Sequence, residues 1–223
     1  MKKTLRKPKS RLKKEVQDEL YWVKRPRDDK IRDWLYSEPD WILDYWKSRE
    51  HPHRQLILDA LKKVDWGYLL EIGCNCGPNL GLIRENYPDK ALAGIDANAE
   101  VIEEAKKHLD QAVDLRVGSI TQLPWPDGYF DVVLVDAVLI YVDPKKIDRV
   151  LAEISRVARK AVILVERDDK SLKGKAVFGY WNRDYKTLLE GFGFIVEKTK
   201  LTQDQWPMSK GWQKFGYLYL GRR

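Results

Sequence analysis

The stretch Glu71-Ile72-Gly73-Cys74-Asn75-Cys76-Gly77-Pro78-Asn79 decides the fold of this chain. It follows a short apolar run at residues 68–72, which predicts a strand, and it precedes a helical pattern at residues 80–86. A chain that leaves a strand here must turn sharply, and Gly73 and Gly77 lack the Cβ atoms that would block the turn or the approach of a ligand. We therefore predict a strand–turn–helix unit whose turn forms part of a ligand site.

An acidic residue stands where the second predicted strand ends. Asp96 follows Gly94-Ile95 and comes twenty-three residues after Gly73. A carboxylate at that point can accept hydrogen bonds from both hydroxyls of a ribose. A glycine-rich turn alone is a weak signal, but the turn and the acid together predict a site for an adenosine-type ligand.

The same loop departs from the dinucleotide-binding pattern G-x-G-x-x-G. Counted from Gly73, the positions of the second and third glycines hold Asn75 and Pro78. Pyrophosphate binding uses free backbone N–H groups at the helix start, and proline removes one of them. The sequence therefore disfavours NAD and FAD as the ligand.

Strand and helix patterns alternate through the rest of the chain. Asp40, Asn98 and Asp143, the last followed by Pro144, are predicted helix N-caps. Further strands are predicted at residues 91–95, 113–117, 130–135, 161–165, 194–201 and 215–220, the last two joined without a helical pattern. Five strand–helix units followed by a strand pair predict the α/β class, with a doubly wound, mostly parallel seven-stranded sheet and an antiparallel last strand.

The excess positive charge lies at the N-terminus. The chain has 223 residues and a formal net charge of +7, yet residues 1–27 hold eleven Lys or Arg against three acids, a net of +8. We divide the chain into a basic arm at 1–27, expected to be flexible, aromatic-rich helices at 28–66, and a ligand-binding domain at 67–223. The arm is either a solvated tail or an electrostatic arm for RNA, DNA or another polyanion.

Neither a membrane span nor a secreted disulfide framework is indicated. No apolar run approaches the ~20 residues of a bilayer span, and no hydrophobic segment follows the basic N-terminus. The two cysteines, Cys74 and Cys76, cannot form such a framework. Two thiols without a third cysteine or clustered histidines do not make a zinc centre, so no metal site is predicted there. We expect a cytoplasmic protein without membrane contact, and the sequence leaves its oligomeric state open.

These residues give the chain a resemblance to the class I S-adenosylmethionine-dependent methyltransferases, over roughly residues 53–221. Residues 71–77 are similar to that family's first motif, residues 123–133 to its approach to the fourth strand, and residues 136–142 to the segment that faces the methyl group. The resemblance implies a Rossmann-like methyltransferase fold, residues 28–66 as lid helices and S-adenosyl-L-methionine as cofactor. It extends loosely to small methylases of sugar-biosynthesis clusters.

The resemblance also implies which residues hold the cofactor. The loop after the first strand would carry the methionine part, the acid after the second strand the ribose, and the end of the third strand the adenine. Asn75 stands where the family has its central glycine, and asparagine tolerates the positive φ that this turn needs. The expected cofactor-binding residues are Glu71, Gly73, Cys74, Asn75, Gly77, Asp96, Ala97, Ser119, Ile120 and Asp136.

The expected reaction is an in-line displacement that moves a methyl group to O or N of a small polar or aromatic acceptor. The chain must then provide alignment, exclusion of water and a way for the acceptor to lose a proton. The candidate catalytic residues are Asp136, Tyr141, His51 and His53. Each has a structural alternative, which is a cofactor or helix-cap contact for Asp136, a wall position for Tyr141 and a structural hydrogen bond for the histidines.

Other functions stay open at this stage. The acceptor is RNA or protein if the basic arm recruits it, and the chain is a non-catalytic subunit of a larger assembly if it carries only the cofactor fold. Asp136 with Asp168 and Asp169 resembles the magnesium site of catechol-type O-methyltransferases. Two nucleic-acid classes are disfavoured, because residues 136–139 lack the Pro-Pro-aromatic pattern of amino-group methylation and no cysteine lies there for attack on a pyrimidine.

Overall fold

A seven-stranded sheet forms the centre of the computed structural model, which describes residues 19–27, 40–169, 176–177, 180–207 and 209–223. Its strands are β1 (Tyr68–Ile72), β2 (Ala91–Asp96), β3 (Asp114–Val117), β4 (Phe130–Asp136), β5 (Ala158–Arg167), β8 (Ile195–Lys200) and β9 (Gly216–Arg222). The order is β3-β2-β1-β4-β5-β9-β8. The first five strands in that order run parallel, and β9 is antiparallel to both of its neighbours. The predicted α/β class and sheet are confirmed.

The strand β1 lies at the point where the sheet reverses its winding. Its neighbours are β2 on one side and β4 on the other, so the chain crosses the sheet in opposite directions from this point. Such a reversal opens a crevice beyond the carboxyl ends of the strands, where open α/β sheets bind ligands. Every residue of β4 is buried, as expected for a strand covered on both faces.

Helices cover both faces of the sheet. They are α1 (Glu19–Lys24), α2 (Trp41–Lys47), α3 (His53–Leu61), α4 (Pro78–Asn86), α5 (Ala99–His108), α6 (Ile147–Val157), α7 (Tyr185–Gly191) and α8 (Lys210–Phe215). One apolar layer includes Ile42, Ile57, Leu61, Leu80 and Ile102 from α2 to α5. The other includes Val150, Leu151, Ile154 and Leu189 from α6 and α7. The sheet therefore has a core on each side, and only its edges and strand ends are open for a site.

Two of the three predicted N-caps are confirmed. The Asp40 carboxylate accepts hydrogen bonds from the Ile42 and Leu43 N–H groups, and the Asn98 side chain accepts one from Glu100. The prediction for Asp143 is wrong, because α6 begins at Ile147 and has no side-chain cap. The Asp143 carboxylate instead accepts a hydrogen bond from the Lys145 N–H at 2.7 Å. This bond stabilises a turn ahead of the helix, an alternative use of a short acidic side chain.

The late part of the chain contains elements that the sequence did not indicate. The helix α8 lies between β8 and β9, where no helical pattern was expected, because six residues are too short for a periodic apolar stripe. Residues 176–177 and 180–181 form the short hairpin β6 (Ala176–Val177) and β7 (Tyr180–Trp181). Both additions lie after the carboxyl end of β5 and extend the wall of the crevice.

The last part of the basic arm packs onto the folded body. The helix α1 occupies residues 19–24, and the Arg27 guanidinium contacts Asp40 and lies 2.8 Å from the Glu104 carboxylate. Residues 1–18, which carry most of the expected electrostatic arm, and residues 28–39 lie outside the described residues. Across the part of the chain that is described, no helix has the length and apolar character needed to cross a bilayer.

Candidate functional site

A cavity of about 820 Å³ opens beyond the carboxyl ends of the parallel strands. It is lined by Gly73 and Asn75 after β1, Asp96 and Ala97 after β2, and Gly118 and Ile120 after β3. Asp136 closes it at the end of β4, and Trp22, Trp41, His51 and His53 cover it from the N-terminal segment. Ligand cavities of this kind range over about 300–1,000 Å³, so this one has room for a nucleoside and a small second molecule.

The loop after β1 has the conformation that the sequence implied. Gly73, Asn75 and Gly77 have φ angles of 69°, 52° and 82°. Asn75 thus adopts the positive φ expected at the position of the missing glycine. A Cβ on Gly73 would lie 2.4 Å from Cγ2 of Val138, so the loop passes directly against the segment after β4. Gly73 leaves room for this approach and keeps the crevice open.

We expect Gly73→Ala to destabilise the protein by about 1–3 kcal/mol more than Gly193→Ala, because the new methyl group overpacks against Val138. Gly193 is a matched control, since its φ is 84° and an added Cβ would meet nothing within 4 Å. Chemical denaturation of both variants measures the difference. Equal losses in the two variants would contradict the close contact, and Val138→Ala in the Gly73→Ala background should recover part of the stability.

The Asp96 carboxylate is held by the backbone of two loops. Its Oδ2 accepts a hydrogen bond from the Asn75 N–H at 3.0 Å, and its Oδ1 accepts one from the Asn98 N–H at 2.9 Å. Burial raises the pKa of Asp96, and these backbone N–H groups partly oppose that shift. An ionised carboxylate has about four lone-pair sites, so two hydrogen bonds leave acceptor capacity toward the cavity. The arrangement fits a ligand that offers two neighbouring hydroxyl groups.

The remaining expected cofactor residues divide into two groups. Ala97, Ile120 and Asp136 line the cavity. The other members do not line it, and these are Glu71, Cys74, Gly77 and Ser119. Cys74 and Cys76 are free and buried, and Gly77 forms the N-cap of α4 in a left-handed conformation. The Ser119 hydroxyl pairs with Thr121 at 2.8 Å, so it shapes the loop after β3 and does not face the cavity.

A buried polar network lies at the carboxyl ends of β1 and β4, beside the cavity. Asp136 Oδ2 accepts hydrogen bonds from His53 Nε2 at 2.9 Å, Asn79 Nδ2 at 3.0 Å and Arg54 Nη1 at 3.3 Å. The Asn79 amide also donates to Glu71 Oε1 at 2.7 Å. Burial alone would raise the pKa of Asp136, but His53, Arg54 and Asn79 hold it below its ordinary value. Asp136 is therefore ionised at neutral pH.

Two carboxylate oxygens of this network have no hydrogen-bond donor among the described residues. They are Asp136 Oδ1 and Glu71 Oε2, and both are buried. Burial raises the pKa of Glu71 to about 8, although the hydrogen bond from Asn79 lowers it. Buried acceptors are almost always paired in proteins, so the free oxygen of the ionised Asp136, which lines the cavity, indicates a donor that binds from there, whereas Glu71 does not line the cavity. A ligand ammonium group, such as the one on the methionine part of S-adenosylmethionine, meets that requirement.

The two histidines extend the network toward the acceptor side. His53 Nδ1 lies 2.6 Å from His51 Nδ1, and the ring of Trp206 packs at centroid distances of 4.3 Å from His53 and 4.8 Å from His51. Burial lowers the pKa of His53 and lowers that of His51 to about 4, with neighbouring positive charge adding to the second shift. Both rings are therefore neutral at pH 7. Asp136, His53 and His51 form a continuous hydrogen-bonded chain.

The other acids near the strand ends have structural partners. Glu166 accepts hydrogen bonds from the N–H groups of Val138, Leu139 and Ile140, which fixes the segment after β4. Asp168 contacts the Lys198 ammonium and the Tyr219 hydroxyl. Among the described residues, no three acids, histidines or cysteines form a group that could hold a metal ion. Asp136, Asp168 and Asp169 thus do not form the magnesium arrangement considered above.

Some contacts of the site were not identified from the sequence. Arg54 on α3 and Asn79 on α4 are both buried. A polar residue on the buried face of a helix was the sequence signal that could have identified them as site residues. Trp22 lines the cavity from α1, and its ring meets the expected site residue Tyr141 at a centroid distance of 4.9 Å. Tyr141 is therefore part of the cavity wall. The aromatic residues of α2 serve both packing and the site, because Trp41 is buried and also lines the cavity.

Comparison with known proteins supports the same interpretation. Residues 70–165 match the family described as "Methyltransferase domain". An uncharacterised transposon protein of Streptomyces fradiae is 35% identical over 117 residues, 51% of this chain and 33% of that protein. A probable methyltransferase of Aspergillus luteorubrus is 30% identical over 132 residues, 54% of this chain and 45% of that protein. The chain thus spans about a third to a half of the length of these relatives.

The fold is also that of solved methyltransferases. Human N-acetylserotonin methyltransferase, solved in complex with S-adenosylmethionine, aligns with a TM-score of 0.62 at 17% identity and covers 87% of this chain and 59% of its own. The sheet order, the loop after β1 and the domain match all agree with a methyltransferase fold. The chain thus contains a methyltransferase domain, matched over residues 70–165, and has the fold of the class I S-adenosylmethionine-dependent methyltransferases.

Proposed function

We propose that this protein transfers a methyl group from S-adenosylmethionine to an oxygen or nitrogen atom of a small polar or aromatic acceptor. The observation that carries the proposal is the hydrogen-bonded chain Asp136–His53–His51, which opens on the same cavity as Gly73 and Asp96. These hydrogen-bonded residues can accept a proton from the acceptor beside the cavity proposed to hold the nucleoside. The match of residues 70–165 to a methyltransferase domain supports methyl transfer as the reaction class, and the site chemistry points to an O–H or N–H acceptor.

The residues of the crevice fit the cofactor. Asp96 would accept hydrogen bonds from the ribose hydroxyls, Gly73 and Asn75 would lie against the methionine part, and Asp136 would accept a hydrogen bond from the ammonium group. Ala97 and Ile120 would border the nucleoside. When bound, S-adenosylmethionine supplies a methyl group on a good leaving group, so the chain must add alignment, exclusion of water and a proton acceptor.

The proton acceptor in this proposal is His51. Because His53 is neutral and its Nε2 donates to Asp136, its Nδ1 must accept a hydrogen bond, and the partner at 2.6 Å is His51 Nδ1. We therefore assign the proton of His51 to Nδ1, in preference to the longer contact of 3.4 Å in which this atom would accept from the His53 backbone N–H, and a lone pair is left on Nε2. A proton taken up at His51 Nε2 is balanced by transfer of the Nδ1 proton to His53. The resulting His53 imidazolium then lies against the Asp136 carboxylate.

Aromatic side chains shield the hydrogen-bonded residues Asp136, His53 and His51 from water. Trp206 packs on both histidines and stacks on Trp212 at a centroid distance of 4.1 Å with an interplanar angle of 8°. Both tryptophans line the cavity. Water-excluded surroundings strengthen the electrostatic interaction between Asp136 and a charged His53. The low pKa of His51 disfavours proton uptake, but the Asp136 carboxylate stabilises the positive charge once the proton has passed to His53.

The tautomers of His51 and His53 can be measured directly. Nitrogen-15 spectra of the complex with S-adenosylhomocysteine should show His51 protonated at Nδ1 and His53 at Nε2, both neutral at pH 7, because the pKa of each is lowered. His51 should gain its charge only as the pH falls to about 4. Single His→Gln variants assign the signals. A His51 ring that is charged at pH 7, or protonated at Nε2, would contradict the proposed proton path.

An assay for transfer tests the function itself. The full chain is incubated with S-adenosylmethionine and a panel of phenols, amines and hydroxy acids, and S-adenosylhomocysteine release is followed with mass spectrometry of the product. We expect release with an O–H or N–H acceptor and its loss in His51→Gln at unchanged cofactor affinity. Absence of cofactor binding by calorimetry would overturn the proposal. Binding without transfer to any acceptor, with stable co-purification of a partner, would favour the non-catalytic alternative instead.

A further inference from the structure

The end of β5 brings a guanidinium group to the cavity. Arg167 is the last residue of β5 and pairs with Gly216 of β9, two strands away from the cofactor loop after β1. It lines the same cavity as His51 and Asp96. The cofactor residues lie at the ends of β1 to β4, so Arg167 is on the side of the cavity that the cofactor contacts proposed above leave for an acceptor.

The Arg167 guanidinium lies between Gly211 and the rings of Tyr180 and Phe215. A Cβ built on Gly211 would lie 3.3 Å from its Nη2, 3.5 Å from its Cζ and 3.7 Å from its Nη1. The Cζ atom is 5.3 Å from the ring centroid of Tyr180 and 5.8 Å from that of Phe215. These surfaces orient the group without using its hydrogen-bond donors, because guanidinium faces stack while the N–H groups point outward in the plane.

No acidic side chain forms a direct ion pair with Arg167 within the segments that the structure describes. The adjacent Asp168 carboxylate is occupied by Lys198 and Tyr219. Arg167 Nε is buried without a hydrogen-bond partner in these segments. Burial lowers the pKa of Arg167, whereas Tyr180, Asp169 and Tyr141 favour its charge. The guanidinium stays charged, and a half-buried charge without a direct partner is costly unless a ligand pairs with it.

We propose that Arg167 binds an anionic oxygen group of the acceptor, a carboxylate or a phosphate, and thereby selects small aromatic or apolar acids as substrates. This inference rests on the proposed methyl transfer, because it names the substrate class of the same site. The planar fork of a guanidinium pairs with two oxygen atoms of such a group at once. The body of the acceptor would lie along Tyr180, Trp206 and Trp212, with its reacting oxygen or nitrogen toward His51.

The lining of the cavity supports this orientation. Tyr180, Trp206, Trp212 and Phe215 line the same cavity as Arg167, and flat rings favour contact with an aromatic or unsaturated acceptor. The negative charge of Asp136 lies near the reacting end of the acceptor and is already paired with Arg54 and His53. An acceptor whose anionic group binds Arg167 keeps that group away from the Asp136 carboxylate.

Matched acids and neutral analogues test this assignment. Calorimetry on the protein saturated with S-adenosylhomocysteine compares 4-hydroxybenzoate with 4-hydroxybenzamide, and phenyl phosphate with phenol. We expect each acid to bind at least about tenfold more tightly than its neutral partner, since charge-assisted hydrogen bonds are the stronger ones. Arg167→Met should remove that preference, and Arg167→Lys should keep only part of it. Lys146→Met is the control, because Lys146 is an exposed cation at the same cavity.

Each result of this comparison is informative. Loss of acid preference in Arg167→Met, with unchanged affinity for S-adenosylhomocysteine and for the amide, supports the assignment, and the preferred pair distinguishes carboxylate from phosphate. An equal loss in Lys146→Met would indicate general charge attraction and overturn it. A parallel fall in cofactor affinity in Arg167→Met would place the cofactor's own carboxylate at Arg167. Cofactor binding with no preference for acids in the wild type defeats this inference alone, whereas no cofactor binding defeats the proposed function.

Discussion

Asp96→Ala should weaken binding of S-adenosylhomocysteine by more than about a hundredfold. Two hydrogen bonds to a charged acceptor contribute about 1.5–3 kcal/mol each, and a loss of ~3 kcal/mol exceeds a hundredfold in affinity. The Asn75 and Asn98 N–H groups also lose their shared acceptor, so the loop that borders the nucleoside relaxes. Titration calorimetry with both S-adenosylhomocysteine and S-adenosylmethionine measures the effect.

Two control variants separate the ribose contact from other effects of this change. Glu103→Ala removes the same charge from an exposed pair with Lys106 and should leave the affinity unchanged. Asp96→Asn keeps one acceptor oxygen for the loop but removes the charge, and we expect an intermediate loss. If Asp96→Ala bound S-adenosylhomocysteine within about threefold of the wild type, the acid would not hold the ribose, and the assignment of the crevice would have to change.

Arg54→Met should lower the free energy of unfolding by about 3–5 kcal/mol, the usual cost of removing one partner of a buried ion pair. Arg54 is 2% exposed, and its guanidinium contacts Asp136 and Asn79 in the network and Ser48 at its carbonyl and hydroxyl oxygens. Methionine retains the apolar stem but leaves Asp136 ionised without its permanent cation. Denaturant titration followed by fluorescence gives the change, and nine tryptophans provide the signal.

The surface pair of Arg49 and Glu85 is the matched control. Its atoms are 3.0 Å apart, but both side chains are more than a third exposed, so Arg49→Met should cost less than about 1 kcal/mol. The double variant Arg54→Met with Asp136→Asn should be more stable than Arg54→Met alone, because it removes the uncompensated charge. Equal costs for the two arginine variants would show that the network does not depend on the buried cation.

The parts of the site that the sequence predicted are those determined by neighbouring residues. The loop conformation follows from Gly73, Asn75 and Gly77, and the position of Asp96 follows from the end of a strand. The apolar patterns of the strands also depend on neighbouring residues, and they predicted the sheet. His51 and His53 were candidates for the site, and the structure brings them together with Asp136, although their roles stay a proposal.

The parts that the sequence did not indicate depend on distant contacts. Arg54 and Asp136 are 82 residues apart, and nothing near either residue signals the pairing. Arg167 was not named as a site residue from the sequence, since its surroundings come from β9 and α8, which are distant in sequence. The misplaced start of α6 has a different origin, because an Asp-Pro pair serves a turn as well as a helix cap and only packing decides between them.

The burial of the two thiols affects whether the proposed cofactor could methylate them. A sulfonium methyl donor alkylates thiolates, and Cys74 and Cys76 lie within the loop proposed to hold it. Burial raises the pKa of Cys76 to about 12 and that of Cys74 well above its ordinary value, and the Cys76 thiol donates to the Ile42 carbonyl at 3.3 Å. Because the thiolate is the reactive form, these shifts disfavour methylation of the two sulfur atoms, which lie in the loop as small buried groups.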